Sequence, residues 1–181
     1  MVFDCEHRAR LGTEECLTDC PTRAAVGGFL FARVEQPGDL PPADPQVVDV
    51  ALLDMHHGWP NLGHEALVDV VQSAVCDMRA ALLPARLNAR VLSYDVRRGR
   101  NLPDHASGRH ALYVSTGGPG HLDPRRNDGR EGSQGIVEDP AWEGPLFALF
   151  DAIRNDPQAS LIAVCHSFGL MCRWLGVAEA V

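Results

Sequence analysis

The chain has 181 residues, 45% of them hydrophobic, and a formal net charge of −8. That is enough apolar material for one domain with a sizeable core, and the acidic balance argues against binding nucleic acid through a basic surface. All 16 basic residues are arginine, which excludes chemistry through a lysine nucleophile or Schiff base.

Residues 1–33 mix charges, cysteines and a short apolar patch from Ala24 to Ala32 without a sustained period. The cysteines stand at 5, 16, 20, 76, 165 and 172, irregularly spaced and with no Cys-x-x-Cys pair. Cys16 and Cys20, with Cys5 and His7 nearby, are of zinc-ligand type. Irregular spacing favours reduced thiols in an extension instead, so neither a metal nor a cofactor is expected. Gln36-Pro37-Gly38-Asp39-Leu40-Pro41-Pro42-Ala43-Asp44-Pro45 reads as a linker. Residues 1–46 are therefore expected to form an N-terminal extension and Pro-rich linker, and 47–181 an α/β domain. No apolar run reaches bilayer-span length and residues 1–10 are charged, so the expectation is a cytoplasmic protein with no membrane contact.

After the linker, strand and helix patterns alternate. Val47 to Leu53 is a near-continuous apolar run, as in a strand covered on both faces. His56 and His57 follow it and read as solvent-facing loop residues. A helix is predicted from Asn61 to Leu83, with Leu67, Val70, Val71, Ala74, Val75 and Met78 at helical spacing and Pro84 as its stop. Arg90 to Val96 is the next strand, and Asn101 to Arg109 a polar loop. Ala111 to Thr116 is a third strand, ending in Gly117-Gly118-Pro119-Gly120. Asp123 to Glu138, rich in Arg, Asp and Gly, reads as a solvated, mobile surface loop. A helix starts near Asp139-Pro140-Ala141-Trp142 and runs to Ile153 or Arg154. Strand Leu161 to Val164 and helix Phe168 to Val181 complete the pattern, with Cys172 on the sheet-facing side of that helix. Strands alternating with helices imply a parallel sheet with helices on both faces.

The strand–turn–helix Leu161-Ile162-Ala163-Val164-Cys165-His166-Ser167-Phe168-Gly169 carries the most chemical information. A nucleophile at such a turn stands clear of the sheet, and the helix N-terminus favours a thiolate there. The turn needs small residues two before and two after the nucleophile, and Ala163 and Ser167 qualify. The glycines at 117–120 let backbone N–H groups approach a ligand and form an oxyanion hole. Both loops open on the carboxyl edge of a parallel sheet, where α/β proteins build sites. His121 follows the glycine loop and is the in-chain candidate for a substitute base.

These two motifs, in this order, resemble the class I glutamine amidotransferase family, in particular a GMP synthase-like amidotransferase domain. The likeness runs from about Val48 to the C-terminus. It implies a flavodoxin-like fold, incomplete at its C-terminus, with Cys165 as nucleophile and oxyanion N–H groups from Gly118, Gly120 and His166. It also implies glutamine as the substrate, ammonia release through a glutamyl thioester, and a synthetase or complementing subunit as partner. The family's flanking glycines are replaced here by Ala163 and Ser167, and a long insertion from Asp123 to Trp142 separates the two loops. The family places its catalytic His and Glu well after the elbow, whereas Val181 lies 16 residues (181 − 165) beyond Cys165. The reaction is therefore expected to be incomplete without a downstream His and Glu. Two alternatives stand beside this reading. Cys165-His166-Ser167-Phe168-Gly169 has the outline of an α/β-hydrolase elbow with Ser167 as nucleophile, and the chain fits an amidotransferase-like module without turnover.

Overall fold

The computed structural model describes residues 22–26, 29–58, 61–81 and 88–178. The Cys5, Cys16, Cys20 and His7 grouping and the Pro84 helix stop lie outside these residues. Six strands form one sheet: β1 (Thr22–Val26), β2 (Phe29–Val34), β3 (Val47–Asp54), β4 (Asn88–Asp95), β5 (His110–Ser115) and β6 (Ser160–Ala163). Among the described residues three helices accompany them: α1 (Leu62–Ala81), α2 (Glu143–Asn155) and α3 (His166–Trp174). The spatial order is β1-β2-β4-β3-β5-β6. β1 runs antiparallel to β2, and every other neighbouring pair is parallel.

β3 sits near the middle because it is apolar on both faces. Ala51, Leu53 and Met55 join Leu92, Tyr94, Tyr113 and the α2 residues Leu146, Leu149, Phe150 and Ile153 in one core layer. The alternate residues Val50 and Leu52 join Val91, Val114 and the α1 residues Val68 and Val75 in the other. This is the period-two alternation of a strand buried on both sides, and it gives the expected α/β layering with helices on both faces. In α1, His64, Val68 and Val75 are buried while Val70 and Met78 are exposed, so its stripe is narrower than the sequence suggested.

The boundary drawn at residue 46 is not a division in the structure. β2 lies before it, yet pairs with β4 from Phe29↔Ala89 to Val34↔Tyr94. Phe29, Phe31 and Val34 are buried with the core residues on either face. Six residues gave too short a pattern to register as a strand on its own. The linker after it, residues 35–46, is an extended connection with one 3₁₀ turn at Pro37–Asp39, carrying the chain past β4 to β3.

β6 closes the other end of the sheet. It is four residues long and, among the described residues, pairs with β5 alone. Ile162 and Phe168 are more than half exposed, at 52% and 60%, beside Val164 at 38%. An unpaired strand edge with apolar side chains templates pairing with another chain, and a lysine there blocks it. The chain is expected to self-associate through this edge at micromolar concentrations, and Ile162→Lys to shift it towards monomer. Sedimentation velocity checks this; a monodisperse monomer across the same concentration range contradicts it.

Candidate active site at the carboxyl edge of the sheet

Strand register brings the two motifs together. Leu53 pairs with Ser115 and Ser115 with Ala163, so Met55, Gly117 and Cys165, each two residues further on, stand level on the carboxyl edge. Cys165 is exposed and has φ 55° and ψ −113°. That backbone conformation is rare for a residue with a side chain and is held only where the surroundings over-determine it. Here they do. Val164 N–H donates to Ser115 O at 3.0 Å, which fixes the strand side of the turn. Ser167 N–H donates to Val164 O at 3.2 Å and Gly169 N–H to Cys165 O at 3.1 Å, which fix the helix side. His166 is the first residue of α3, so its N–H has no acceptor within the helix.

Ser167 is fully buried. Its hydroxyl donates to Thr116 O at 2.5 Å and lies 2.7 Å from the Ser115 hydroxyl. It ties the start of α3 to the end of β5, and that contact is why position 167 must be small. A serine so enclosed is not presented to a substrate.

The glycine loop lies against the thiol. A Cβ placed on Gly117 would stand 3.2 Å from the Cys165 Cβ and 3.5 Å from its Sγ. One on Gly118 would stand 2.3 Å from Met55 O and 3.0 Å from an Arg97 guanidinium nitrogen, so only glycine fits. Gly118 N–H has no hydrogen-bond partner among the described residues. Gly120, at φ +90°, differs: its N–H donates to Gln134 Oε1 at 3.0 Å. Of the amides expected to form an oxyanion hole, Gly118 and His166 are open and Gly120 is occupied.

The residues that hold this rim together were not singled out from sequence. Arg97, two residues past β4, is completely buried and forms a two-pronged pair with Glu138, Nε to Oε2 at 2.8 Å and a terminal nitrogen to Oε1 at 2.6 Å. Its remaining terminal nitrogen donates to Met55 O at 3.0 Å and to Pro119 O at 2.7 Å. Glu138 also accepts from Asn127 Nδ2 at 2.5 Å and Trp142 Nε1 at 3.2 Å, and lies 2.8 Å from His57 Nε2. Burial alone would raise the Glu138 pKa. The hydrogen bonds from Arg97, His57 and Asn127 and the Arg97 charge outweigh it and hold the carboxyl below the usual range. The pair spans 41 residues of sequence, and no local pattern announces it.

Residues 123–138 lie at the surface, most of them exposed as expected, but they are tied down by local structure and a few buried side chains. Two 3₁₀ turns, Pro124–Arg126 and Glu131–Ser133, and a bridge between Asp128 and Val137 give the segment structure. Asn127 and Ser133 are buried. Arg125 and Arg173 both bond Glu143 at 2.6 Å, and Leu122 packs where α3 carries Gly169 instead of a side chain.

The histidines are placed differently from expectation. His57 is not a free loop residue but is held by Glu138, and His56 is half-buried with Nδ1 3.6 Å from Asp54 Oδ1. His121 accepts the Asp123 N–H at Nδ1 at 2.9 Å, which commits the lone pair a base would use. Cys172, expected to face the core, is half-buried. Among the described residues no group of three or more His, Cys, Asp or Glu is placed to hold a metal ion, and no helix is long and apolar enough to cross a membrane.

Comparison with known proteins gives no match: no family model, no curated protein and no solved structure corresponds to this chain.

His166 supplies a direct test of the site's packing. It is buried, and its Nε2 has no hydrogen-bond partner among the described residues. Burial, reinforced by the Arg97 charge, lowers its pKa from 6.5 to about 4. Because the folded value is the depressed one, the unfolded chain binds the extra proton between these pH values. Stability tied to His166 is complete above about pH 6.5 and is lost as pH falls towards 4. The slope approaches about 1.4 kcal/mol per pH unit. In urea unfolding across this range, His166→Gln should be less pH-dependent than the unaltered chain by that slope; parallel curves would contradict the burial.

Proposed function

We propose that the protein is a glutamine amidotransferase-like protein of the class I type, in which the Cys165 thiolate attacks the side-chain amide carbon of glutamine. The observation that carries this reading is the strained, exposed Cys165 at a strand–helix junction with Gly117 packed against it. The thiol is exposed to an incoming substrate and stands at the N-terminal, positive end of the α3 dipole.

In the proposed reaction the sulfur–carbon bond forms and the carbonyl π electrons move to oxygen. The Gly118 and His166 N–H groups stabilise that oxyanion. Collapse of the intermediate expels ammonia, which takes up a proton, and leaves a glutamyl thioester on Cys165. Water then cleaves the thioester, giving glutamate and the free thiol. The thiol proton passes to a general base, the downstream His that the likeness to the family implies. The likeness to the family adds a His and Glu supplied from beyond the elbow, and a synthetase that consumes the ammonia, as further parts of the proposal.

The burial of Ser167 favours Cys165 over the serine-hydrolase alternative. A glutamine-mimicking diazo or chloroketone reagent tests the reading, with tryptic mass mapping of the adduct. Cys76, which is also exposed, serves as an internal control for indiscriminate alkylation. The expected result is an adduct on Cys165 and not on Cys76, protected by glutamine, lost in Cys165→Ala and kept in Ser167→Ala. Equal labelling of both cysteines, or no adduct with excess reagent, would favour a module without turnover.

A further inference from the structure

We propose that Arg97 is a positioning residue for the amide-presenting loop at residues 117–120: it sets the orientation of the Pro119–Gly120 peptide and so the shape of the oxyanion site. This rests on the reading of Cys165 as an acyl-transfer nucleophile, but its geometry can be tested without that activity.

The argument starts from the peptide group. In a trans peptide the carbonyl and the following N–H point in opposite directions. Arg97 donates to Pro119 O at 2.7 Å from the buried side, so Gly120 N–H faces outward, where Gln134 Oε1 accepts it at 3.0 Å. The peptide is clamped at both ends. The same Arg97 nitrogen holds Met55 O at 3.0 Å, and Gly118 passes so close to both that a methyl group would collide. One guanidinium thereby joins the end of β3 to the loop after β5, immediately beside the glycine that touches Cys165.

The rest of the side chain is fixed so that this nitrogen cannot wander. Nε and the other terminal nitrogen are held by Glu138, and the guanidinium carbon lies 5.6 Å from the centre of the Trp142 ring. A planar fork donating in two directions is something a lysine ammonium does not reproduce. Loss of the fork therefore frees the Pro119 carbonyl while leaving Cys165, α3 and Ser167 in place. The effect should be selective. Acyl transfer passes through an oxyanion and needs the loop; direct alkylation of the thiol by iodoacetamide does not.

The test compares Arg97→Lys with the unaltered full chain in two ways. Amide hydrogen exchange should show Gly120 N–H exchanging at least tenfold faster in Arg97→Lys, with the β3 and β5 amides unchanged. Unchanged protection of Gly120 would overturn the proposal whatever the activity. Glutaminase turnover should fall by about 10²-fold, the scale of losing one oxyanion donor, with kcat affected more than KM. Iodoacetamide alkylation of Cys165 should stay within about threefold, the tolerance set for a loop that direct alkylation does not use. If turnover and alkylation fall together, Arg97 is merely structural and the proposal fails. The reaction is expected to be incomplete without a downstream His and Glu, so where the unaltered chain shows no turnover the exchange result alone decides the role of Arg97, and labelling of Cys165 by the glutamine mimic decides the Cys165 reading.

Discussion

The carboxyl edge of this sheet is organised around one buried ion pair, Arg97 with Glu138, whose side chains are 0% and 2% exposed. Two charges removed from water lose hydration worth several kcal/mol each, and the pair is tolerable only if geometry and further hydrogen bonds make up the loss. Both conditions hold. The fork is two-pronged, Met55 O and Pro119 O take the remaining Arg97 nitrogen, and Glu138 gathers contacts from Asn127, Trp142 and His57 as well. The consequence is topological. Segments from the ends of β3, β4 and β5 and from the long insertion converge on one point.

That anchoring explains how a strained nucleophile turn coexists with a loop of small residues. Cys165 holds its φ of 55° because the turn is fixed from both sides by backbone hydrogen bonds and from below by Ser167 on Thr116 O. The glycine loop has only the Pro119 ring with which to pack, so most of its conformation is imposed from outside. Arg97 imposes it from beneath and Gln134 from above. The two halves of the candidate site are thus held by different means: local turn geometry for the thiol, long-range polar contacts for the amides.

This division also sets what could be read from the amino-acid order. The elbow is local: four strand residues, a turn with Ala163 and Ser167 flanking Cys165, and a helix start, all within a dozen positions. β3, β4 and β5 were legible for the same reason, as apolar runs buried on both faces. β2 was not, because six residues beside a proline-rich stretch carry little pattern, and it becomes a strand by pairing with β1 and β4. The segment from Asp123 to Glu138 looked solvated because its composition is charged. It is ordered because Asn127 and Glu138 point inward to partners far along the chain. Composition reports which groups favour water; it does not report which have found a better partner.

The electrostatics of the rim follow from the same pair. Arg97 lies near His166, and its charge adds to burial in keeping that imidazole neutral, while Glu138 acts in the opposite sense. A neutral imidazole next to a compensated ion pair leaves little net side-chain charge in the interior beneath the thiol. The backbone is then the main source of field at the elbow: the open N–H groups of α3, with the Gly118 amide across from them. Such dipoles are fixed before any substrate arrives and need no reorganisation as negative charge develops on an oxygen. A rim built in this way stabilises charge that appears during a reaction, and the buried pair contributes by holding the dipoles in place without adding a charge of its own.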